Sequence, residues 1–333
     1  MNSTALWTAI LPALLAALAI AILRRTPWAA RLADVPNERS LHAQPRPRIG
    51  GLGILAGAFP LALYFAGAPG ALILSCALGL ALVSLLDDLR GLPVAVRLGA
   101  HAVAALVAMA ILVPLPAGSP ATHWLAWVAA LGAVAWMTNL YNFMDGSDGL
   151  AGTMGVVGFG AYAWAAFQSG QAGLGIICLA LASANVGFLA HNFPPARVFM
   201  GDAGAIPLGF LAGALGVQGF ASGAWGAAFP VLAFSPFIVD ASVTLLRRLA
   251  RRERVWQAHR SHYYQRLVLA GWNPRRLLFA AGGLMLAASA SALLLRGADA
   301  MLQCGIIFFW AALYALLLPA IDRKTRTMTA AAR

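Results

Sequence analysis

The chain has 333 residues, of which 61% are hydrophobic and 10% charged, and its mean hydropathy is +0.78. An ordinary soluble domain carries about 25% charged residues, so a water-soluble globule, a disordered chain and a collagenous chain are all excluded. The charge is lopsided, 23 Lys and Arg against 11 Asp and Glu for a net +12, and in so apolar a chain each acid needs a reason to be there.

The hydropathy pattern predicts one all-α domain over residues 1–333, an integral membrane bundle of about 11 transmembrane helices. The spans fall at 4–23, 50–66, 70–86, 98–113, 123–139, 150–168, 171–190, 203–219, 225–246, 276–295 and 300–319, each near the ~20 apolar residues that cross a bilayer. The first is not a signal peptide, because Arg24, Arg25 and Arg31 follow its apolar run instead of preceding it. That order keeps it as an anchor whose C-terminal end is cytoplasmic. With the N-terminus outside, loops 24–49, 87–97, 140–149, 191–202, 247–275 and the tail from 320 share one side. All but Arg296 of the 23 Lys and Arg residues fall there, counting Arg276 at the edge of its span, which makes that side cytoplasmic. The basic excess therefore suggests anionic lipid headgroups and anionic substrates, not nucleic acid. Asp34, Glu38, Asp87, Asp88, Asp145, Asp148, Asp202, Glu253 and Asp322 share that side; Asp240 lies inside the ninth span and Asp299 alone is outside. Cys76, Cys178 and Cys304 sit far apart in apolar runs and form neither a disulfide framework nor a metal spacing.

Five polar stretches carry candidate chemistry. The first, from Asp34 through Asn37, Glu38 and His42 to Arg46, Arg48, Gly50 and Gly51, is stiffened by prolines, and its double glycine permits close backbone approach. Asp87-Asp88 ends the third span. Two adjacent carboxylates repel unless a cation or several donors lie close, so they are either a solvated helix end paired with Arg90 or a metal or general-base site. Asn139, Asn142, Asp145 and Asp148 recur every three residues after the fifth span. On a helix that is one polar stripe, able to read a nucleobase edge with amides and to take ribose hydroxyls or metal with carboxylates. Asn192, Phe199 and Asp202 join spans seven and eight. Asp202 is either a helix N-cap or a carboxylate that holds Mg2+ against phosphate oxygens. The largest loop opens as a basic surface helix and ends in His259, Arg260 and His262, a cationic or hydrogen-bonding cluster suited to a diphosphate. The chain has no P-loop, dinucleotide or serine-hydrolase motif.

In order and content, these stretches resemble the motifs of the polyprenyl-phosphate N-acetylhexosamine-1-phosphate transferases: DVPNERSLH…PRPRIGG, LLDDLRG, NLYNFMDGSDGLAG, HNFPPARVFMGDAGA and HRSHYYQRL. The resemblance implies a membrane enzyme with its active site at the cytoplasmic face. There an undecaprenyl or other polyprenyl phosphate attacks the β-phosphorus of a UDP-N-acetylhexosamine, giving polyprenyl-diphospho-sugar and UMP. It implies a Mg2+ cofactor, with Mn2+ as a substitute, a bacterial plasma-membrane location and dimer formation. By motif, Asp87 and Asp88 match the central aspartate pair and Asp202 the metal-ligating aspartate, with Asp88 beside it. Asn139, Asn142, Asp145, Asp148, Asn192 and Phe199 match the nucleoside side. His259 and His262 match the histidine motif near the diphosphate, and Arg260, Arg46 and Arg48 are further candidate substrate-binding residues.

A phosphate monoester has a second pKa of roughly 6, so the acceptor is already anionic. The harder task is bringing two anions together, which favours direct displacement with Asp87 orienting or deprotonating the acceptor, with a covalent aspartyl intermediate as the alternative. The branch that uses UDP-MurNAc-pentapeptide carries a consecutive histidine triplet, whereas here the histidines are separated. The expectation is therefore a first step of O-antigen, teichoic-acid or related glycan synthesis. A lipid or nucleotide-sugar transporter is the competing class, since a basic mouth and intramembrane acids suit one too.

Overall fold

The computed structural model describes residues 3–36, 44–115, 118–255, 257 and 259–331, with side chains from Trp7 to Thr325. Asn37, Glu38, Arg39 and His42 of the first polar loop lie outside the described residues. In chain order, α1 (Ser3–Leu23) and α2 (Pro27–Arg31) lead to β1 (Ala33–Asp34) and β2 (Arg46–Pro47), which pair antiparallel. Then come α3 (Gly50–Phe65), α4 (Ala68–Arg90), α5 (Val94–Leu112), α6 (Ala121–Phe143), α7 (Leu150–Gln168), α8 (Ala172–Asn192) and α9 (Asp202–Ala221). The chain ends with α10 (Ala228–Ala233), α11 (Ser235–Ala250), α12 (Tyr263–Leu269), α13 (Pro274–Leu295) and α14 (Ala300–Ala331).

Ten of the eleven predicted spans each fall on a single helix, to within a residue at their ends. Among the described residues, α4 to α9, α13 and α14 are the eight helices long and apolar enough to cross a membrane, while α3 and the Trp7–Leu23 part of α1 are shorter apolar stretches. Large apolar side chains face outward, Leu125 at 71% exposure and Phe308 at 75%. Such a surface is solvated by lipid, not by water, and the protein is a multi-pass, all-helical membrane bundle. α9 is its centre and α14 its edge, with 78% of the one span buried and 6% of the other. The ninth expected span, 225–246, is not one helix. It breaks at Phe234 into α10 and α11, where Pro236, lacking an N–H, suits the first turn of a new helix. Of the basic surface helix expected after it, residues 247–250 are the last turn of α11, and the described residues from 251 to 257 are not helical.

Two contacts fix the helices around the polar end. Ser183 of α8 accepts the Ala13 N–H at 3.1 Å and donates to the Ala9 carbonyl at 2.8 Å, bridging the backbone of α1 beside Pro12. This satisfies backbone groups that lipid cannot. Gly51 of α3 faces Gly204 of α9 so closely that a Cβ on Gly51 would stand 2.2 Å from the Gly204 Cα. Gly50 and Gly51 then donate to the Phe199 and Met200 carbonyls at 2.9 and 2.8 Å, which satisfies the first-turn N–H groups of α3. At the opposite end Arg296 donates to the Ala224 carbonyl at 3.0 Å and to Ser169 Oγ at 2.7 Å, closing the bundle there.

Candidate active site

The predicted polar stripe is only half helical. Asn139 and Asn142 lie on the last turns of α6, which ends at Phe143, while Asp145 and Asp148 lie on the turn that follows. Helix geometry alone therefore does not align the four. The two acids help staple this turn to the α8–α9 loop. Asp148 Oδ2 accepts the Ala196 N–H at 2.9 Å, and Asp145 takes a hydrogen bond from the Gly201 backbone. Asn192, only 3% exposed, accepts the Gly149 N–H at 2.8 Å and donates to the Val198 carbonyl at 2.8 Å. Its amide serves the backbone on both sides, which makes it a structural clamp; the nucleoside contact expected of it is not what the geometry shows. Burial, and then the nearby Asp202 charge, push the Asp145 carboxyl well above the usual carboxylate range, with the Gly201 N–H and Arg48 pulling the other way.

The aspartate pair divides its work. Asp87 does not pair with Arg90. Its Oδ1 accepts the Leu92 N–H at 2.6 Å and its Oδ2 meets Arg97 Nη1 at 2.8 Å, so both oxygens are engaged. Asp88 Oδ1 meets Arg48 Nη1 at 3.3 Å, while its Oδ2 is buried with no hydrogen-bond partner. Arg48 also pairs with Asp34, which ties β1 and the start of α3 to the end of α4. Asp202 is not the cap of α9. Gly201 holds that place with φ 74°, and no side chain caps the helix. Asp202 instead faces a cleft, where Asn142 acts on it as a hydrogen-bond donor and Arg48, Asp87 and Arg97 lie within electrostatic reach.

The histidine arm comes from the other side. Asp240 of α11, 8% exposed, accepts the Tyr263 N–H at 3.0 Å and the Tyr264 N–H at 3.1 Å, and its Oδ1 lies 3.2 Å from His262 Nδ1. Tyr264 Oη donates to the Phe143 carbonyl at 3.0 Å, joining α12 to the end of α6. Buried Arg248 holds the preceding loop through Glu253 and the carbonyls of Arg254, Val255 and Gln257. His259 Nδ1 accepts from the Ser261 N–H at 3.3 Å, which places its hydrogen on Nε2. Burial, then His262 and Arg248, lower its pKa to about 4. Of the two roles expected for this cluster, cationic or hydrogen-bonding, His259 has the second: it is a neutral donor. Arg260 is exposed and does not line the cleft.

The cleft holds about 340 Å3. Its polar lining comprises Arg97, His101, Asn139, Asn142, Asp202, Gln257, His259, His262 and Gln265. Asn139 is held there by His101 at 3.2 Å and by the Ala135 carbonyl at 2.8 Å. Phe199 and Arg46 are half-buried and outside the lining. Sequence reasoning missed Arg97 and His101. A lone arginine and histidine in the run VAVRLGAHAVA carried the signal, because an ionisable group inside a span is costly. Among the described residues no three His, Cys, Asp or Glu converge as a metal-binding group. Mg2+, however, is usually held by one or two carboxylates together with substrate phosphates. The orphaned Asp88 Oδ2 and the cleft-facing Asp202, mutually repelling carboxylates, suit that hard-oxygen role.

Residues 71–220, which include α4 to α9 nearly entire, match the model of glycosyl transferase family 4. A Bacillus subtilis (strain 168) protein named "Probable undecaprenyl-phosphate N-acetylglucosaminyl 1-phosphate transferase" is 26% identical over 83% of this chain and 80% of its own length. A Mycolicibacterium smegmatis decaprenyl-phosphate N-acetylglucosaminephosphotransferase is 33% identical over 30% of this chain and 28% of its own. A Geobacillus thermodenitrificans phospho-N-acetylmuramoyl-pentapeptide-transferase is 33% identical over 38% of this chain and 39% of its own. The aspartate pair, the stapled loops and Asp202 all lie inside the segment that is similar to glycosyl transferase family 4.

Proposed function

We propose that the chain transfers an N-acetylhexosamine 1-phosphate from a UDP-N-acetylhexosamine to a membrane polyprenyl phosphate, giving polyprenyl-diphospho-sugar and UMP. One observation carries this reading: Asn139, Asn142, Asp202, His259 and His262, from sequence-distant motifs, line one cleft together with Arg97, which pairs with Asp87. Names of relatives point to N-acetylglucosamine as the first sugar to try and undecaprenyl phosphate as the acceptor. By the positive-inside rule the cleft opens to the cytoplasm of a bacterial plasma membrane, where a UDP-sugar arrives.

Asp88 and Asp202 would hold Mg2+, or Mn2+ in its place; when bound, the ion neutralises charge on the diphosphate. Asp87, with both oxygens engaged, presents Arg97 to the diphosphate. Asp88 Oδ2 is the oxygen left to hold the ion, and an acceptor already largely dianionic at neutral pH has little need of a base to remove a proton. His259 Nε2–H donates to the substrate as a neutral group. A second cavity of about 400 Å3, lined by Phe237, Leu284, Leu317 and other apolar side chains of α11 to α14, offers room for isoprene units. The transporter alternative is disfavoured because the polar groups gather at one end and not at the midplane.

The test is UMP release by purified protein in detergent with polyprenyl phosphate, Mg2+ and a panel of UDP-sugars. UMP formed only when the lipid is present supports transfer and names the sugar. A protein that releases none with any donor is not this enzyme.

A further inference from the structure

We infer that Asp240 is a positioning residue of the proposed transfer: its carboxylate fixes His262 with Nε2 turned to the cleft and starts the helix that carries the motif. The inference rests on the proposed reaction. Asp240 lies 22 residues before His262, on α11, and nothing in the mechanism above uses it.

The hydrogen-bond directions are determined by chemistry. The Tyr263 and Tyr264 backbone N–H groups can only donate, and they go to separate oxygens, Oδ1 and Oδ2. Thr244 Oγ1 adds a third donor to Oδ1 at 3.3 Å. A carboxylate so surrounded is an acceptor, so His262 Nδ1, 3.2 Å from Oδ1, carries a hydrogen. The His262 ring lines the cleft. The ring cannot swing away. It stacks on Tyr264 at 5.8 Å, with His259 at 4.9 Å and Phe143 at 6.1 Å. Asp240 therefore sets both the tautomer and the direction of His262 while holding the first turn of α12. An asparagine of the same size has one acceptor oxygen, so its NH2 would oppose one of the two N–H donors.

The test uses full-length protein labelled with 15N-histidine in detergent, with His262 signals assigned by their loss in His262→Gln. The expected spectrum shows the Nδ1-protonated form in the wild type and its loss in Asp240→Asn. UMP release should fall about 10–100-fold in kcat for Asp240→Asn, the range seen when the group that orients a functional histidine is removed. In a His262→Gln background the same change should cost little more, because the two residues act as one unit. An Nε2-protonated His262 in the wild type overturns the inference. So does an Asp240→Asn penalty that is equal in both backgrounds. If Asp240→Asn does not fold, the wild-type spectrum decides alone. A wild type that forms no UMP sinks the transfer reading, while the tautomer still reports on Asp240.

Discussion

Removing the Asn192 side chain separates a structural clamp from a substrate contact. In Asn192→Ala, the Gly149 N–H and the Val198 carbonyl each lose a 2.8 Å hydrogen bond at a site 3% exposed. A buried polar group left unpaired costs about 1–3 kcal/mol, so the pair predicts a loss of about 2–6 kcal/mol. Native domains hold roughly 5–15 kcal/mol in all, so the effect is a large fraction of the whole. The assay is the rate of thermal inactivation in detergent, followed by size-exclusion monodispersity, with KM for the UDP-sugar measured on the fraction still folded. Fast inactivation with a near-normal KM is expected. A variant as stable as the wild type but with KM raised tenfold would refute the clamp and restore the nucleoside contact.

Arg97→Ala should lower kcat about 100- to 1000-fold, the usual loss for one preorganised charge-stabilising donor, and Asp87→Asn should share much of that loss because it releases Arg97; UMP kinetics on both variants checks this. Gly51→Ala forces a Cβ to within 2.2 Å of the Gly204 Cα, so α3 and α9 must separate; thermal stability should drop by at least the ~1–3 kcal/mol of overpacking, and a neutral result would contradict the close approach. His259 has a pKa near 4 in the fold against an ordinary 6.5. Between those values the unfolded chain binds a proton that the folded chain does not, so stability should fall as pH drops from about 6.5 to 4. His259→Gln should remove part of that decline in a thermal-stability series across pH.

Much of the architecture was legible because apolar runs of bilayer length have one economical conformation. The break in the ninth span was less so, though Pro236 marked it. The double glycine at Gly50-Gly51 announced a close approach, and the structure supplies the partner, Gly204. Side-chain roles were harder to read. A period of three suggested one helical face for Asn139 to Asp148, but α6 ends between Asn142 and Asp145, and spacing does not reveal where a helix stops. Asn192 looked like a ligand because its hydrogen-bond partners, Gly149 and Val198, are backbone groups that no motif displays. Arg97 was passed over as the edge of a span, although its cost in lipid should have singled it out. Asp240 carried that same signal, and the fold answers it with α12.

The most direct test of transfer follows the phosphorus itself. Purified protein, polyprenyl phosphate and Mg2+ are given UDP-N-acetylglucosamine, then other UDP-N-acetylhexosamines, labelled with 32P at the β-phosphate. The account predicts that label enters the lipid fraction one-for-one with UMP in solution. Label recovered as free sugar phosphate, or left in intact UDP-sugar with every donor, would contradict it.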